Sequence, residues 1–190
     1  MAAFDHVILL LSFVFALALT HLLSRVGGLM LARKRVRFSA LHAFMVVNAV
    51  VLVLVNWLAL WFVHTTSAWD LFSIVIFFLF ALCSYFFCAA AAPEVPFEGA
   101  IDLEAFYWEN YKLFYGLIAL QTIVAMLTSL SAPLRRDWSL FVWTNIDSLP
   151  FFIPPILATT IRSRWAQWAS AIVFLAMQIW WLITFNSQLK

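Results

Sequence analysis

One carboxylate in this chain stands where a charge is expensive to hold. Asp147 falls about nine residues into an apolar stretch that opens at Trp138, roughly 13 Å deep at the helical rise of about 1.5 Å per residue. An ionisable side chain at that depth in hydrocarbon marks a functional site by default, because its desolvation must be offset by a partner or by water. Its neighbours add to the case. Asn145 lies just before it, and Pro150, Pro154 and Pro155 follow in the same stretch. Each proline lacks an N–H, so carbonyls one turn earlier lose their helical donors. Backbone freed in this way is tolerated at membrane depth where it lines a cavity or meets other protein. Gln121 reaches a similar depth on the preceding stretch. The expected chemistry is passage of an ion, a proton or a small solute along a polar path bounded by Asp147, Asn145 and Gln121, with Asp147 carrying the charge interaction. The competing reading has Asp147 paired with a polar neighbour and the prolines only kinking the helix.

A second group lies on the first two apolar stretches. His21, beside Thr20, and Asn48 come to comparable depth when the two stretches are laid antiparallel, and Arg25 follows His21 by about one turn. Such a cluster handles protons or ions, or else it makes interhelical hydrogen bonds that fix the helices against one another, which is the reading favoured here. All four histidines, His6, His21, His42 and His64, lie in or beside these stretches, and imidazole is a common axial ligand of haem. The separations oppose a stacked pair of ligand sets, because His6 to His21 is much shorter than His42 to His64. Only His6 and His64 meet, at the outer rim, as weak haem ligands. No spacing of His, Cys, Asp or Glu matches a metal site and no nucleophile stands beside a base, so neither a metal nor an enzymatic reaction is expected.

The elements that must position these residues follow from composition. Of 190 residues, 66% are hydrophobic and 11% charged, against about a quarter charged in globular domains, which makes this an integral membrane protein. A crossing needs roughly 20 apolar residues. The sequence divides into six: about Asp5 to Ala32, Leu41 to Val63, Trp69 to Ala92, Leu103 to Ser131, Trp138 to Ile161 and Trp165 to Phe185. Two-residue alternation is missing, which argues against a β-barrel. The expected fold is all-α, a six-transmembrane-helix bundle forming one membrane domain over residues 1–190. Helices one to three occupy 1–92, an acidic connector 93–103, and helices four to six 104–190. A net charge of +2 offers no surface for nucleic acid. Cys83 and Cys88 point in different directions from one helix and read as small packing residues. The start lacks the basic segment and cleavage site of a signal peptide, so the first apolar run is read as a retained helix.

Other patterns bear on assembly and orientation. Ser12, Ala16, Thr20, Ser24, Gly28 and Ala32 recur at every fourth residue, a row that lets another backbone approach closely. It is expected to face a partner within the bundle, with a second subunit as the alternative. The polar stretch Pro93 to Tyr115 holds Glu94, Glu98, Asp102, Glu104 and Glu109. Asp102 and Glu104 suit the N-terminus of the fourth helix, and Glu109 with Lys112 makes an i,i+3 pair. A ring of these carboxylates concentrating cations in an oligomer is the other reading. Tyr107, Tyr111, Phe114 and Tyr115 form an aromatic stripe suited to an interface. Aligning Arg37 with Arg136 brings Asn48 onto Asp147, the trace that an inverted repeat of three-helix halves would leave. Arg33, Lys34, Arg35, Arg37, Arg162 and Arg164 outvote Arg135, Arg136 and Lys190, which places the first set in the cytoplasm and both termini outside.

The opening FDHVILLLSFVFALALTHLLSRVGGL, with DLEAFYWENYKLFYGLIAL later, resembles small uncharacterised polytopic inner-membrane proteins of bacteria. The resemblance implies a bacterial cytoplasmic (inner) membrane and brings no activity with it. The leading expectation is a channel or a small-solute or proton-coupled transporter with a polar site at mid-membrane. The alternatives are a non-transporting accessory subunit that docks partner proteins, and a redox protein holding haem or quinone. The expected partners are the lipid bilayer and either further copies of this chain in a homo-oligomer or the subunits of a larger membrane complex. The first two readings call for no cofactor.

Overall fold

The computed structural model describes residues 3–63, 69–96, 98–131 and 138–188. Five helices among them are long and apolar enough to cross a membrane: α1 (Ala3–Leu31), α2 (Ala40–Ala59), α3 (Leu71–Ala91), α4 (Leu103–Thr128) and α7 (Arg164–Gln188). The chain is an all-helical, multi-pass membrane protein. Three of the starts carry the side-chain caps their sequences offer. Ser39 accepts from the N–H of His42, Asp70 from that of Ser73, and Asp102 from those of Glu104 and Ala105.

The stretch expected as one irregular fifth helix is broken in three: α5 (Trp138–Asn145), a 3-10 segment Ile146–Phe152, and α6 (Ile153–Thr160). Pro150 lies inside the 3-10 segment, and Pro154 and Pro155 occupy the first turn of α6, where a missing N–H costs nothing. The α-helical ladder cannot pass three such positions, so the chain tightens to i→i+3 bonding, with the N–H of Ile153 donating to the Pro150 carbonyl. The ends of this broken segment are tied to opposite ends of α4. Asn145 Nδ2 donates to Ser129 Oγ at 2.7 Å beyond the C-terminus of α4. Near the start of α4, Tyr107 donates to Gln167 Oε1 at 2.9 Å while Gln167 Nε2 donates to the Ala158 carbonyl of α6 at 2.7 Å.

α1 packs on α3, α3 on α4, α2 on α3 and α7, and α6 on α4 and α7, so helices from before and after the connector share one core. Ala18, Ala49, Ala81, Cys88 and Ala91 have no exposed surface and let the helices approach closely. The aromatic stripe of α4, expected at an interface, is core instead: Tyr107, Phe114 and Tyr115 are fully buried and Tyr111 nearly so. The small-residue row of α1 shows the reverse correction. Its buried side is Leu11, Phe15, Ala18 and Leu22, with Phe15 edge-on to Phe80 at 6.4 Å, while Ala16, Thr20 and Ser24 are exposed. Successive residues turn by about 100°, so committing the bulky side to α3 rotates the row away from the bundle. The row meets protein closely near its ends, where Trp57 Nε1 donates to Ser12 Oγ at 3.1 Å and an added Cβ at Gly28 would lie 3.2 Å from Val95 of the connector.

One end of the molecule gathers three connectors. Arg37 meets Asp102 at 2.8 Å where Val36–Arg37 (β1) pairs in parallel with Ile101–Asp102 (β2). The Ala105 N–H, with Arg37, holds the Asp102 carboxyl below the ordinary carboxylate range. Arg35 donates to the Gly99 carbonyl at 3.1 Å, at a turn whose φ of 97° needs a glycine. Ser39 Oγ and Trp108 Nε1 both donate to Glu104, which Arg164 approaches at 3.7 Å. The acidic connector is thus latched onto the basic turn between α1 and α2.

Candidate functional site

The spacing along each helix turns one stripe inward toward a common space. On α4 it is Ile118, Gln121, Thr122 and Ala125, an i, i+3, i+4, i+7 set. On α2 Leu52 and Asn56 face the same way, and on α7 Phe174, Gln178 and Trp181 do so. In the 3-10 segment the period of about three residues brings Ser148 and Phe151 to one face. These walls, with Phe80 of α3, enclose a cavity of about 180 Å³, large enough for a few waters or a small organic molecule. Its polar lining is three carboxamides, two hydroxyls and the Trp181 indole, with no ionisable residue among the described residues that line it.

Two hydrogen-bonded chains support the amides from behind. Asn56 Nδ2 donates to Ser84 Oγ at 2.8 Å, and Ser84 Oγ reaches Gln121 Oε1 at 3.4 Å, linking α2, α3 and α4. Gln178 Nε2 donates to Asn48 Oδ1 at 3.1 Å, and Asn48 Nδ2 donates to the carbonyls of Phe44 at 3.0 Å and Ala171 at 3.3 Å. The carbonyls fix which end of Asn48 is its oxygen, and that in turn fixes the orientation of Gln178. Both glutamines are buried, at 4% and 1% exposed, yet Gln121 Nε2 and Gln178 Oε1 find no partner among the described residues. The two residues that carry this unmatched donor and unmatched acceptor both line the one cavity.

Of the residues expected to bound a path, Gln121 lies on this cavity, and Asn145 and Asp147 do not. Asn145 is spent on Ser129 and on the Phe141 carbonyl at 2.8 Å. Asp147 is exposed, because in a three-residue turn the positions facing inward are its neighbour Ser148 and Phe151. His21 and Asn48 are not one cluster. His21 is set against Tyr85 of α3 at 5.9 Å between ring centres, while Asn48 faces α7. Asn48 is fully buried and Asp147 exposed, so the positions equated by the repeat alignment occupy different environments; Arg136 lies outside the described residues.

Arg25 and His42 share a structural task instead. Arg25 donates to the carbonyls of Ala92 at 2.8 Å and Ala89 at 3.3 Å, and His42 Nε2 lies 2.9 Å from that of Ala91, so two other helices satisfy the C-terminal carbonyls of α3. His6 is exposed on α1, and the pairing of His6 with His64 falls outside the described residues. Sequence reasoning passed over Gln178 and Ser148. Gln178 met the criterion that selected Gln121, a polar residue deep in an apolar span, whereas Ser148 had no signal apart from its register in a helix type the prolines impose. Compared with known proteins, the chain matches no family model, no curated protein and no solved structure.

Proposed function

We propose that this protein is a six-crossing carrier or channel of the bacterial cytoplasmic membrane for a small uncharged solute that both donates and accepts hydrogen bonds. The observation that carries the reading is the unmet donor of Gln121 and unmet acceptor of Gln178 on walls of the same cavity. Leaving such groups unpaired costs about 1–3 kcal/mol each, so an occupant that meets both is favoured; a hydroxyl or a primary amide does. With no ionisable residue among the described lining, no charge on the walls offsets the desolvation of an ion, which favours neutral cargo over proton coupling through Asp147. The broken segment from Trp138 to Thr160 supplies the sixth crossing and one wall of the site, where interrupted helices commonly serve transport. The end rich in Arg and Lys faces the cytoplasm, with both termini outside. Proteoliposomes given an inward gradient of urea, acetamide or glycerol are expected to swell faster than protein-free vesicles while admitting neither potassium nor protons. Swelling no faster than that of protein-free vesicles with all three solutes would sink the reading.

A second reading, compatible with the first, concerns assembly. Ala16, Thr20 and Ser24 present small side chains away from the bundle, a surface suited to α1 of another copy or to a helix of a larger complex. The protein is expected to run as a dimer in mild detergent, and Ala16→Leu with Ser24→Leu is expected to shift it to monomer mass by light scattering. An unchanged mass would remove α1 as the contact.

A further inference from the structure

Two cavities adjoin at the turn from α1 to α2, and they differ in chemistry. The first is a surface recess of about 610 Å³ whose lining includes Arg33, Lys34 and Arg35, floored by Gly28 and Val95. The second is an apolar groove of about 300 Å³ between the end of α1 and the start of α2, lined by Val26, Met30, Phe38 and Val46 among others. Arg33 belongs to both. Three carboxylates of this end are already engaged, and Glu98 of the connector is exposed with no ion pair among the described residues. Glu94 pairs with Arg25, Asp102 with Arg37 and Glu104 with Arg164, while Arg35 spends its guanidinium on the Pro96 and Gly99 carbonyls. Arg33 and Lys34 are exposed and make no ion pair among the described residues.

We propose that this turn is a binding site for one anionic phospholipid, its phosphate held by Arg33 and Lys34 and one acyl chain lying in the groove beside Met30 and Phe38. The depth fits. The 29 residues of α1 span roughly 43 Å, longer than the hydrocarbon layer of about 30 Å, so a turn at its C-terminus lies at headgroup level. Met30, Leu31 and Phe38 are 68%, 91% and 70% exposed next to the two cations, the arrangement that a headgroup above an acyl chain complements. The apolar groove selects a lipid over a soluble phosphate, and the two unpaired cations select an anionic headgroup over a zwitterionic one. Arginine and lysine both bind phosphate, arginine through a two-pronged donor set and lysine as a point charge.

The test uses the delipidated full chain in detergent, titrated with phosphatidylglycerol or phosphatidylcholine of identical acyl chains and followed by native mass spectrometry. One phosphatidylglycerol is expected to bind in preference to phosphatidylcholine, and Arg33→Gln with Lys34→Gln is expected to weaken it roughly tenfold or more. Arg162→Gln, an exposed cation of the same end outside both cavities, is expected to leave binding unchanged. Both substituted side chains are exposed, so the variant keeps the fold, and circular dichroism verifies this. Equal binding of the two lipids, or a double variant that binds like the parent, overturns the site. Displacement of the lipid by glycerol phosphate at equal concentration overturns the acyl-chain groove and leaves a headgroup site only.

Discussion

Replacing Gln121 by leucine is expected to make the protein more stable and to lower the proposed solute flux roughly tenfold. The two effects have one origin. Gln121 is 4% exposed, its Nε2 has no partner among the described residues, and its oxygen is reached only by Ser84 Oγ at 3.4 Å, too long to contribute much. Leucine has similar bulk and leaves no buried N–H unpaired, so the substitution should recover on the order of 1 kcal/mol, seen as a higher midpoint of unfolding in denaturing detergent. The same change removes a donor from the proposed solute site, and loss of one such bond is expected to lower flux roughly tenfold, since about 1.4 kcal/mol corresponds to a factor of ten. Gln178→Leu makes the contrast. It strands Asn48 Oδ1, which Gln178 Nε2 meets at 3.1 Å, so it is expected to lower stability as well as flux. A Gln121→Leu protein that unfolds more readily than the parent would make Gln121 an ordinary structural hydrogen bond; unchanged flux would take the cavity off the path.

Arg25→Ala is expected to lower stability by about 2–4 kcal/mol, with the C-terminal turn of α3 opening first. A helix leaves its last carbonyls without intrahelical donors, and here the guanidinium supplies two charge-assisted bonds, to Ala89 and Ala92, at the negative end of the α3 dipole. Its pairing with Glu94 adds little, because that carboxylate is 85% exposed and the pair is screened. Glu94→Gln should therefore lie close to the parent, and Arg25→Lys should fall between, since lysine keeps the charge but its ammonium is not held where Nη1 meets both carbonyls. Hydrogen exchange over Ala89 to Ala92 together with unfolding midpoints checks this ordering. Equal, small effects of Arg25→Ala and Glu94→Gln would reduce the contact to a surface ion pair.

Membrane class, the helical extents and the position of the break were legible residue by residue. Each rests on a quantity that sums locally: about 20 apolar residues to cross hydrocarbon, a missing N–H at Pro150, Pro154 and Pro155, a capping carboxylate at Asp102 ahead of α4. Rotation about the helix axes was not legible. In water a polar side and an apolar side reveal which way a helix faces, but in lipid both sides are apolar and the difference disappears. That is why the small-residue row of α1 and the aromatic stripe of α4 were each expected on the side opposite to the one they occupy. It is also why Asp147 was expected to line a cavity that its neighbour Ser148 lines instead. The sequence alone determined that polar residues would stand beside a proline-broken helix. Only the tertiary structure decided that Ser148, Gln121, Gln178 and Asn56 line one cavity and that Asp147 is exposed, because the 3-10 register and the packing of α2, α4 and α7 set which side chains converge.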